Sequence, residues 1–309
     1  MNSKIKIAVF GIGGVGGLLG GALARVHPET YFLARGENLK AIQQNGLSVH
    51  SSQLGNFTAC PGLASDNAAD LGVMDVVILA CKGYHLEEAC RAAAPMLRPD
   101  TLVVPLLNGV LVSEIMKPLL PPCTLADGVI YVFSHLEGPG RVEHTSRFCR
   151  VILGMKDGSC PSALKELADL LNRAGVEARL SEEILAESWR KYVRVCSMGV
   201  MCCYYDGPAG KARRDPEYKK VLRGAVDSMI AVAAARGVRL PEELAGQVVE
   251  AFDKMPPEEV TSLYRDLSSG KPVEQTELRH LIGRMVEMGR ELGVPTPYHE
   301  AACEKFMLR

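Results

Sequence analysis

Short apolar runs alternate with amphipathic stretches through the first 180 residues of the chain. Short, mainly apolar runs, typical of strands buried on both faces, occur at residues 5–10, 73–80 and 102–107. Helical patterns lie between them, at residues 14–25, 38–45 and 86–97. Shorter strand patterns occur at residues 31–33, 128–133, 141–144 and 151–154, with a helix at 163–173. This alternation predicts an α/β fold with a mainly parallel sheet covered by helices on both sides.

The pattern changes near residue 181. Ser181 precedes Glu182 and Glu183, which is a typical capped start of a helix. Helical patterns then follow one another at residues 215–237, 241–254 and 274–292, with almost no strand pattern. We therefore predict an α/β domain over residues 1–181 and an all-α C-terminal domain over residues 182–309.

The composition is that of an ordinary globular protein. The chain has 309 residues, of which 47% are hydrophobic and 23% charged, and this excludes a disordered chain. The net charge is −1, so the bulk electrostatics favour neither a nucleic acid nor a membrane as partner. The ten cysteines form no CxxC motif, which favours free thiols in a reducing cytoplasm. The seven histidines are spread along the chain, and we predict no metal site.

Residues 7–24 are uncharged and follow Lys4 and Lys6, as in a signal peptide or a short membrane span. Glycines inside this stretch favour another interpretation, because a G-x-G-x-x-G motif lies between a predicted strand and a predicted helix. In such a motif the first glycine permits a tight turn, the second lets the backbone approach a pyrophosphate, and the third lets the helix pack on the strand. The helix N-terminus then attracts the phosphates. We therefore predict a Rossmann-type dinucleotide-binding domain whose loop is Gly11, Ile12, Gly13, Gly14, Val15 and Gly16.

The end of the second strand indicates which dinucleotide is bound. An acidic residue there bonds the ribose 2′-hydroxyl of NAD, whereas an arginine suits the 2′-phosphate of NADP. Arg35 occupies this place, which favours NADP(H), although Glu37 is also available to a ribose.

Polar residues follow two further strands. Lys82 comes after the strand at 73–80, and Asn108 with Gly109 follows the strand at 102–107. Because ligands bind at the carboxyl ends of strands in open α/β sheets, both are candidate site residues. A third candidate, Lys191, lies on a mainly apolar helix, where burial would lower its pKa towards that of a useful proton donor. An exposed pair with Glu187, one turn earlier, explains the same pattern equally well.

Several motifs extend from the glycine loop to the C-terminus. They are the glycine loop, Leu33-Ala34-Arg35-Gly36, Lys82, Asn108-Gly109, Pro139-Gly140-Arg141-Val142-Glu143-His144, Trp189-x-Lys191, Thr261-Ser262-Leu263-Tyr264-Arg265-Asp266 and Gly270-Lys271-Pro272-Val273-Glu274. With these motifs the sequence resembles a known family, the ketopantoate reductases (2-dehydropantoate 2-reductases), over nearly the whole chain. The most specific part of the resemblance is a serine and a glutamate twelve residues apart near the C-terminus.

The resemblance implies NADPH-dependent reduction of ketopantoate to pantoate in pantothenate biosynthesis. Lys191 would be the general acid that protonates the ketone oxygen, and Glu274 the carboxylate that supports this lysine, the substrate and the cofactor. Ser262 and Asn108 would bond the substrate. Asn108 would also contact the cofactor, and Lys82 would lie beside substrate and cofactor. These residues are expected around one cleft. A cytoplasmic enzyme follows, and the apolar C-terminal helices are compatible with a homodimer.

Two positions depart from the family pattern. The family commonly has asparagine four and eight residues after the lysine, and this chain has Val195 and Gly199 there. An apolar wall and a gap would thus replace two amide groups. This leaves two other hypotheses open: a reductase of a bulkier or less polar 2-oxo acid, and a non-catalytic NADP(H)-binding sensor.

Overall fold

The computed structural model describes residues 5–307 and divides the chain into two compact units. Unit 1 comprises the chain up to Leu107 together with Leu111–Ile184, and unit 2 comprises Asn108–Val110 together with the chain from Leu185 onward. The short segment 108–110 therefore belongs with the C-terminal helices. A domain boundary near residue 181 stays a prediction.

Unit 1 contains all the strands among the described residues. They are β1 (Ile7–Phe10), β2 (Thr30–Leu33), β3 (Leu47–Ser51), β4 (Phe57–Ala59), β5 (Leu63–Ser65), β6 (Val76–Leu79), β7 (Leu102–Pro105), β8 (Thr124–Leu125), β9 (Asp127–Tyr131), β10 (Ser134–Gly138), β11 (Arg141–His144), β12 (Arg150–Gly154) and β13 (Glu177–Leu180).

Six helices pack within unit 1, and a seventh leads into unit 2. The first six are α1 (Gly14–Val26), α2 (Gly36–Asn45), α3 (Ala68–Leu71), α4 (Leu86–Ala93), α5 (Val112–Met116) and α6 (Ser162–Arg173). The helices that follow are α7 (Ile184–Tyr205), α8 (Ala209–Ala212), α9 (Tyr218–Ala235), α10 (Leu244–Asp253), α11 (Ser262–Ser268), α12 (Arg284–Leu292) and α13 (Pro297–Met307).

The main sheet has six strands in the order β5-β2-β1-β6-β7-β8, and every neighbouring pair is parallel. Successive residues of β1 face opposite sides: Ile7 and Val9 pack in one core cluster, and Ala8 and Phe10 pack in another. The sheet is therefore buried on both faces, as its continuous apolar strands predict. The predicted mainly parallel α/β fold is confirmed. Its strand order reverses between β1 and β6, which is where ligands bind in such sheets.

Two smaller sheets were not expected from the sequence. One has the order β10-β11-β3-β4 and the other the order β13-β12-β9. Strand β3 alternates buried and half-buried residues, so it covers the core with one face only. Its partner β11 comes from about 90 residues further along the chain, with Val142 opposite Val49. Short strands whose partners are this distant leave only a weak local pattern.

Unit 2 is helical throughout its described residues, as the sequence predicts. Its last predicted helix, residues 274–292, is divided: a 3₁₀ turn at Val273–Gln275, a π-helical segment at Arg279–Gly283 and then α12. The helix predicted to begin at Asp215 begins at Tyr218, because the Asp215 carboxylate first accepts the Glu217 N–H at 2.9 Å in a turn. Among residues 5–307, no helix is long and apolar enough to cross a membrane.

A buried histidine makes unit 2 sensitive to acid. His299 is 0% exposed, and neither ring nitrogen has a hydrogen-bond partner among the described residues. Burial lowers its pKa from the usual 6.5 to about 4, so the ring is neutral in the folded protein at pH 7. The unfolded chain takes up a proton below pH 6.5, whereas the folded chain does so only near pH 4.

We expect the unfolding free energy to fall between pH 6.5 and pH 4, by up to about 3 kcal/mol from this group. Urea unfolding at pH 7 and pH 5 measures it. The loss should be smaller in His299→Gln, whereas His135→Gln, at an exposed histidine, should behave as wild type. An equal loss in all three proteins would contradict the assignment.

Candidate active site

The glycine loop follows β1 and has the geometry of a dinucleotide-binding turn. Gly11 has φ +87°, a backbone conformation that favours glycine. A Cβ on Gly16 would lie 2.2 Å from the carbonyl oxygen of Gly11, so only glycine lets α1 pack this closely on the strand. A Cβ on Gly13 would meet no atom within 4 Å among the described residues. The backbone at the second glycine is therefore open to a ligand.

These features fit a dinucleotide. Helix α1 begins at Gly14, directly after the open position, and no side chain caps it. The N–H groups of a first helical turn bind phosphate oxygens, and glycine at position 13 allows a pyrophosphate to approach the backbone. Gly11, Ile12, Gly13, Gly14, Val15 and Gly16 are thus the residues that could hold the cofactor.

The glycine loop is supported by the Pro139–His144 motif through Asn38 of α2. The Asn38 amide donates to the Ile12 carbonyl at 2.7 Å, and its oxygen accepts the Gly140 N–H at 2.7 Å. Gly140 has φ +69°, a backbone conformation that favours glycine. Val142 packs against Gly17 of α1 so closely that a Cβ on Gly17 would lie 2.6 Å from the Val142 Cγ2 atom. The Pro139–His144 motif therefore holds the second sheet against the loop and α1. Asn38 was missed by the sequence analysis, since a surface helix asparagine gives no local signal.

Arg35 lies at the place predicted for a cofactor-selecting side chain. It is the N-cap of α2, two residues after the end of β2, and its guanidinium pairs with the carboxylate of Glu88 on α4. This hydrogen bond and the charge of Arg35 lower the pKa of Glu88. Both side chains are more than half exposed. An exposed pair of this kind is weak and readily exchanged.

Lys82 emerges beside the glycine loop. It follows β6, the neighbour of β1 at the reversal of strand order, and it begins the turn Gly83–His85 with its side chain exposed. A Cβ on Gly11 would lie 3.0 Å from the backbone nitrogen of Cys81, so the two segments touch. Lys82 is therefore near the place where unit 1 would hold a dinucleotide.

Lys191 is the centre of a polar cluster in unit 2. It lies on α7, and its Nζ donates to the Asn108 Oδ1 at 2.9 Å. Glu187, the alternative partner considered from the sequence, is 3.2 Å from the Arg190 guanidinium. Segment 108–110 thus places Asn108 beside the lysine. The sequence analysis named both residues as candidates but did not predict this bond between them.

The electrostatics of Lys191 suit a proton donor. Desolvation lowers its pKa from 10.5 to about 8, and the negative charge of Glu277 opposes that shift. Part of its surface remains accessible, while Glu277 is only 2% exposed. The ammonium is therefore mostly charged at pH 7, yet its proton is less tightly held than that of a surface lysine.

The carboxylate in this cluster is Glu277, and the structure does not bring Glu274 to it. Glu274 lies in an exposed 3₁₀ turn, 3.4 Å from the Arg279 guanidinium. A spacing of twelve residues from Ser262 selects Glu274, whereas Glu277 lies fifteen residues after it, beyond a turn whose path the sequence does not reveal. A signal for Glu277 was present: apolar residues follow it at helical spacing, at Leu278, Leu281, Ile282 and Met285.

Ser262 is the first residue of α11 and is exposed. The preceding Thr261 caps the helix, since its hydroxyl oxygen accepts the Tyr264 N–H at 3.3 Å. The Ser262 hydroxyl is therefore not needed as the cap.

Tyr192, which the sequence analysis did not single out, fixes the lysine helix to the π-helical segment. Its buried hydroxyl donates to the Leu281 carbonyl at 2.6 Å. π-Helical segments leave the regular hydrogen-bond pattern and often occur at functional sites. Glu277 lies just before this segment, so the bond holds the carboxylate in place relative to α7.

Val195 and Gly199 follow Lys191 by one and two turns of α7. A Cβ on Gly199 would lie 3.5 Å from Leu263 Cδ2 and 3.8 Å from Ile282 Cδ1. The gap expected at this position is therefore filled by two apolar side chains.

Three possible metal ligands meet on the second sheet of unit 1. One ligand atom each from His50, Glu137 and Glu143 lies within 4.8 Å of the others. Each already has a partner nearby, since Glu137 accepts from Arg141 at 2.8 Å and His50 lies 3.6 Å from Glu143. Ion pairing accounts for this cluster.

Two family models match almost the whole chain. The model described as "Ketopantoate reductase PanE/ApbA" matches residues 7–158, and its C-terminal counterpart matches residues 183–308. The chain belongs to the ketopantoate reductase family. The resemblance inferred from its motifs is confirmed.

Individual relatives of this ketopantoate reductase family member are distant but full-length. An uncharacterized oxidoreductase, YkpB, of Bacillus subtilis is 26% identical over 96% of each chain. A 2-dehydropantoate 2-reductase of Mesorhizobium japonicum is 28% identical over 96% of this chain and 95% of its own. These relatives confirm that the chain is an oxidoreductase.

Solved structures share the fold. A PanE/ApbA family ketopantoate reductase from Ralstonia eutropha has a TM-score of 0.87 at 28% identity, covering 98% of both chains. A D-mandelate dehydrogenase in complex with NADH has a TM-score of 0.82 at 25% identity, also covering 98% of both chains. The family thus binds nicotinamide dinucleotides.

The two glutamates give a direct test of the polar cluster. Glu277→Gln removes the negative charge that favours the ammonium form, so the pKa of Lys191 should fall below its value of about 8. Glu274→Gln is the matched control and should leave it unchanged. NMR titration of ¹³C-methylated lysines measures this pKa, with the resonance assigned by its loss in Lys191→Ala. The opposite ranking of the two variants would restore Glu274 as the supporting carboxylate.

Proposed function

We propose that the chain reduces the carbonyl group of a 2-oxo acid to a 2-hydroxy acid with NADPH as reductant. The observation that carries the proposal is Lys191, a partly desolvated lysine with a pKa of about 8, bonded to Asn108 and near the charge of Glu277. A bound nicotinamide supplies the hydride. Every other part of the reaction is carried out by side chains of this chain.

The roles follow from the charge that develops during reduction. When the carbonyl carbon accepts hydride, the oxygen becomes negative, and the Lys191 ammonium stabilises it and transfers a proton to it. Asn108 orients the ammonium and is available to the substrate. Glu277 keeps Lys191 protonated despite its desolvation. Ser262, exposed on α11, bonds the substrate, and Lys82 lies beside cofactor and substrate.

NADPH is proposed over NADH because of Arg35. Its guanidinium pairs with an exposed carboxylate that a phosphate can displace. The NADH complex of the related dehydrogenase makes NADH the alternative to test. A homodimer and a cytoplasmic location remain predictions.

Two substrates are candidates. Ketopantoate is supported by the names of the relatives in this family. A 2-oxo acid with a less polar substituent is favoured by Val195 and Gly199, which present no hydrogen-bonding side chain after Lys191 on α7.

Replacing the proposed proton donor tests the mechanism. Lys191→Ala should lower turnover by ~10²–10⁴ on the best 2-oxo acid while NADPH affinity is unchanged, because general acid catalysis is lost. Lys191→Arg should also remain slow, since a guanidinium does not release a proton near neutral pH. Lys220→Ala, at an exposed lysine of unit 2, is the control. Near wild-type turnover in Lys191→Ala would make Lys82 the next candidate.

Replacing Arg35 tests the cofactor assignment. Arg35→Ala should weaken NADPH by about ten- to a hundredfold and NADH little, because a charge-assisted bond to the 2′-phosphate is lost. Affinities of both cofactors for wild type and variant are measured by fluorescence titration. Lys40→Ala removes a nearby exposed charge of α2 and should change neither. If the NADPH/NADH ratio is the same in wild type and Arg35→Ala, Arg35 does not select the cofactor.

A further inference from the structure

The face of α7 beyond Lys191 indicates what surrounds the rest of the substrate. Val195 lies one turn further, about 6 Å along the helix axis, and Gly199 one turn beyond that. Side chains four residues apart share one face of a helix. Val195, which is half-buried, is therefore the next side chain on the face of α7 that carries the Lys191 ammonium.

Two other segments of unit 2 complete this face. Leu263 of α11 and Ile282 of the π-helical segment lie in van der Waals contact with the Cβ position of Gly199, and both are almost fully buried. The Tyr192 hydroxyl fixes the segment that carries Ile282 through its bond to the adjacent Leu281 carbonyl. Leu263 and Ile282 therefore fill the space beside Gly199, so the missing side chain at this position leaves no polar gap.

Three hydroxyl groups on α7 and just before the π-helical segment already have partners. The Thr276 hydroxyl donates to the Val273 carbonyl at 2.8 Å, and the buried Ser197 hydroxyl donates to the Met229 sulfur at 3.6 Å. Tyr192 is committed to Leu281. Ser262 is the exception, and the carboxylate that every 2-oxo acid carries accounts for its exposed hydroxyl.

We infer that the substrate is a 2-oxo acid whose substituent is an apolar alkyl or aryl group without a hydroxyl. The inference rests on the proposed function and narrows its substrate class. An apolar wall gains from burying carbon, and a hydroxyl held against it loses its hydrogen bonds to water without replacement. Val195 is the residue that sets this preference, because it is half-buried, whereas Leu263 and Ile282 are almost fully buried and only close the position of Gly199.

A pair of substrates that differ by one hydroxyl tests the inference. Ketopantoate is 3,3-dimethyl-2-oxobutanoate with a hydroxyl on one methyl group, so the two have nearly the same shape. A site that bonds this hydroxyl rejects the analogue lacking it by ~10⁴-fold or more, whereas an apolar site disfavours the added hydroxyl by at most about 10²-fold. We expect kcat/KM to be higher for 3,3-dimethyl-2-oxobutanoate, by about ten- to a hundredfold.

Variants connect the preference to the residues. Val195→Thr adds a hydroxyl at nearly constant volume and Val195→Asn adds an amide, and both should shift the ratio of kcat/KM towards ketopantoate by about tenfold. Val73→Thr, the same change at an exposed position of unit 1, should leave the ratio unchanged.

The outcomes separate the two proposals. A wild-type preference for ketopantoate overturns the inference and leaves the proposed function standing. An unchanged ratio in both Val195 variants overturns the role of Val195. Absence of NADPH oxidation with any 2-oxo acid, including pyruvate and phenylpyruvate, overturns the proposed function and the inference with it.

Discussion

The buried hydrogen bond from the Tyr192 hydroxyl to the Leu281 carbonyl is the constraint on which the polar cluster depends. A π-helical segment departs from regular helical hydrogen bonding, and in the interior an unpaired carbonyl is costly. Tyr192 satisfies this carbonyl from α7, one residue after Lys191. The same bond therefore fixes the segment that follows Glu277 and carries Ile282. Packing of Tyr192 against the buried Trp189 ring, with centroids 5.7 Å apart, holds the hydroxyl in position.

Two opposing effects set the pKa of Lys191 in this cluster, its desolvation and the charge of Glu277. Desolvation alone would drive Lys191 towards its neutral form, which could not donate a proton. The buried carboxylate of Glu277 opposes this, since its negative charge raises the pKa of Lys191. The Asn108 oxygen accepts a hydrogen bond from the Lys191 Nζ and so fixes its position. Glu274, exposed and paired with Arg279, could not have this effect, because water screens its charge. Because Glu277 is buried, water does not screen its charge, and this carboxylate can raise the pKa of Lys191.

Features encoded by local sequence were predictable, and features that depend on distant packing were not. The glycine loop could be predicted from the sequence alone, because the turn conformation at Gly11 and the close contact of Gly16 with the Gly11 carbonyl lie within one strand-turn-helix unit. Apolar runs predicted β1, β6 and β7 for the same reason. Strand β3 was missed because its partner β11 is far along the chain. Glu277 was missed because the turn between Ser262 and Glu277 leaves no local signal of its path. Asn108 was predicted as a site residue, but only the structure joins it to Lys191.

The proposed selection of NADPH by Arg35 in unit 1 rests on a different physical principle from the cluster in unit 2. Arg35 and Glu88 are exposed, so their attraction is screened and the guanidinium exchanges partners at little cost. A 2′-phosphate carries more negative charge than a carboxylate and offers three acceptor oxygens, so it competes well for Arg35. A 2′-hydroxyl has no such advantage and leaves the arginine with Glu88. The proposed discrimination between NADPH and NADH is therefore the difference in free energy between two exposed ion pairs, Arg35 with the 2′-phosphate and Arg35 with Glu88. Raised salt should reduce this difference in affinity, because it screens exposed charges. The buried contacts of Lys191 should respond little to salt.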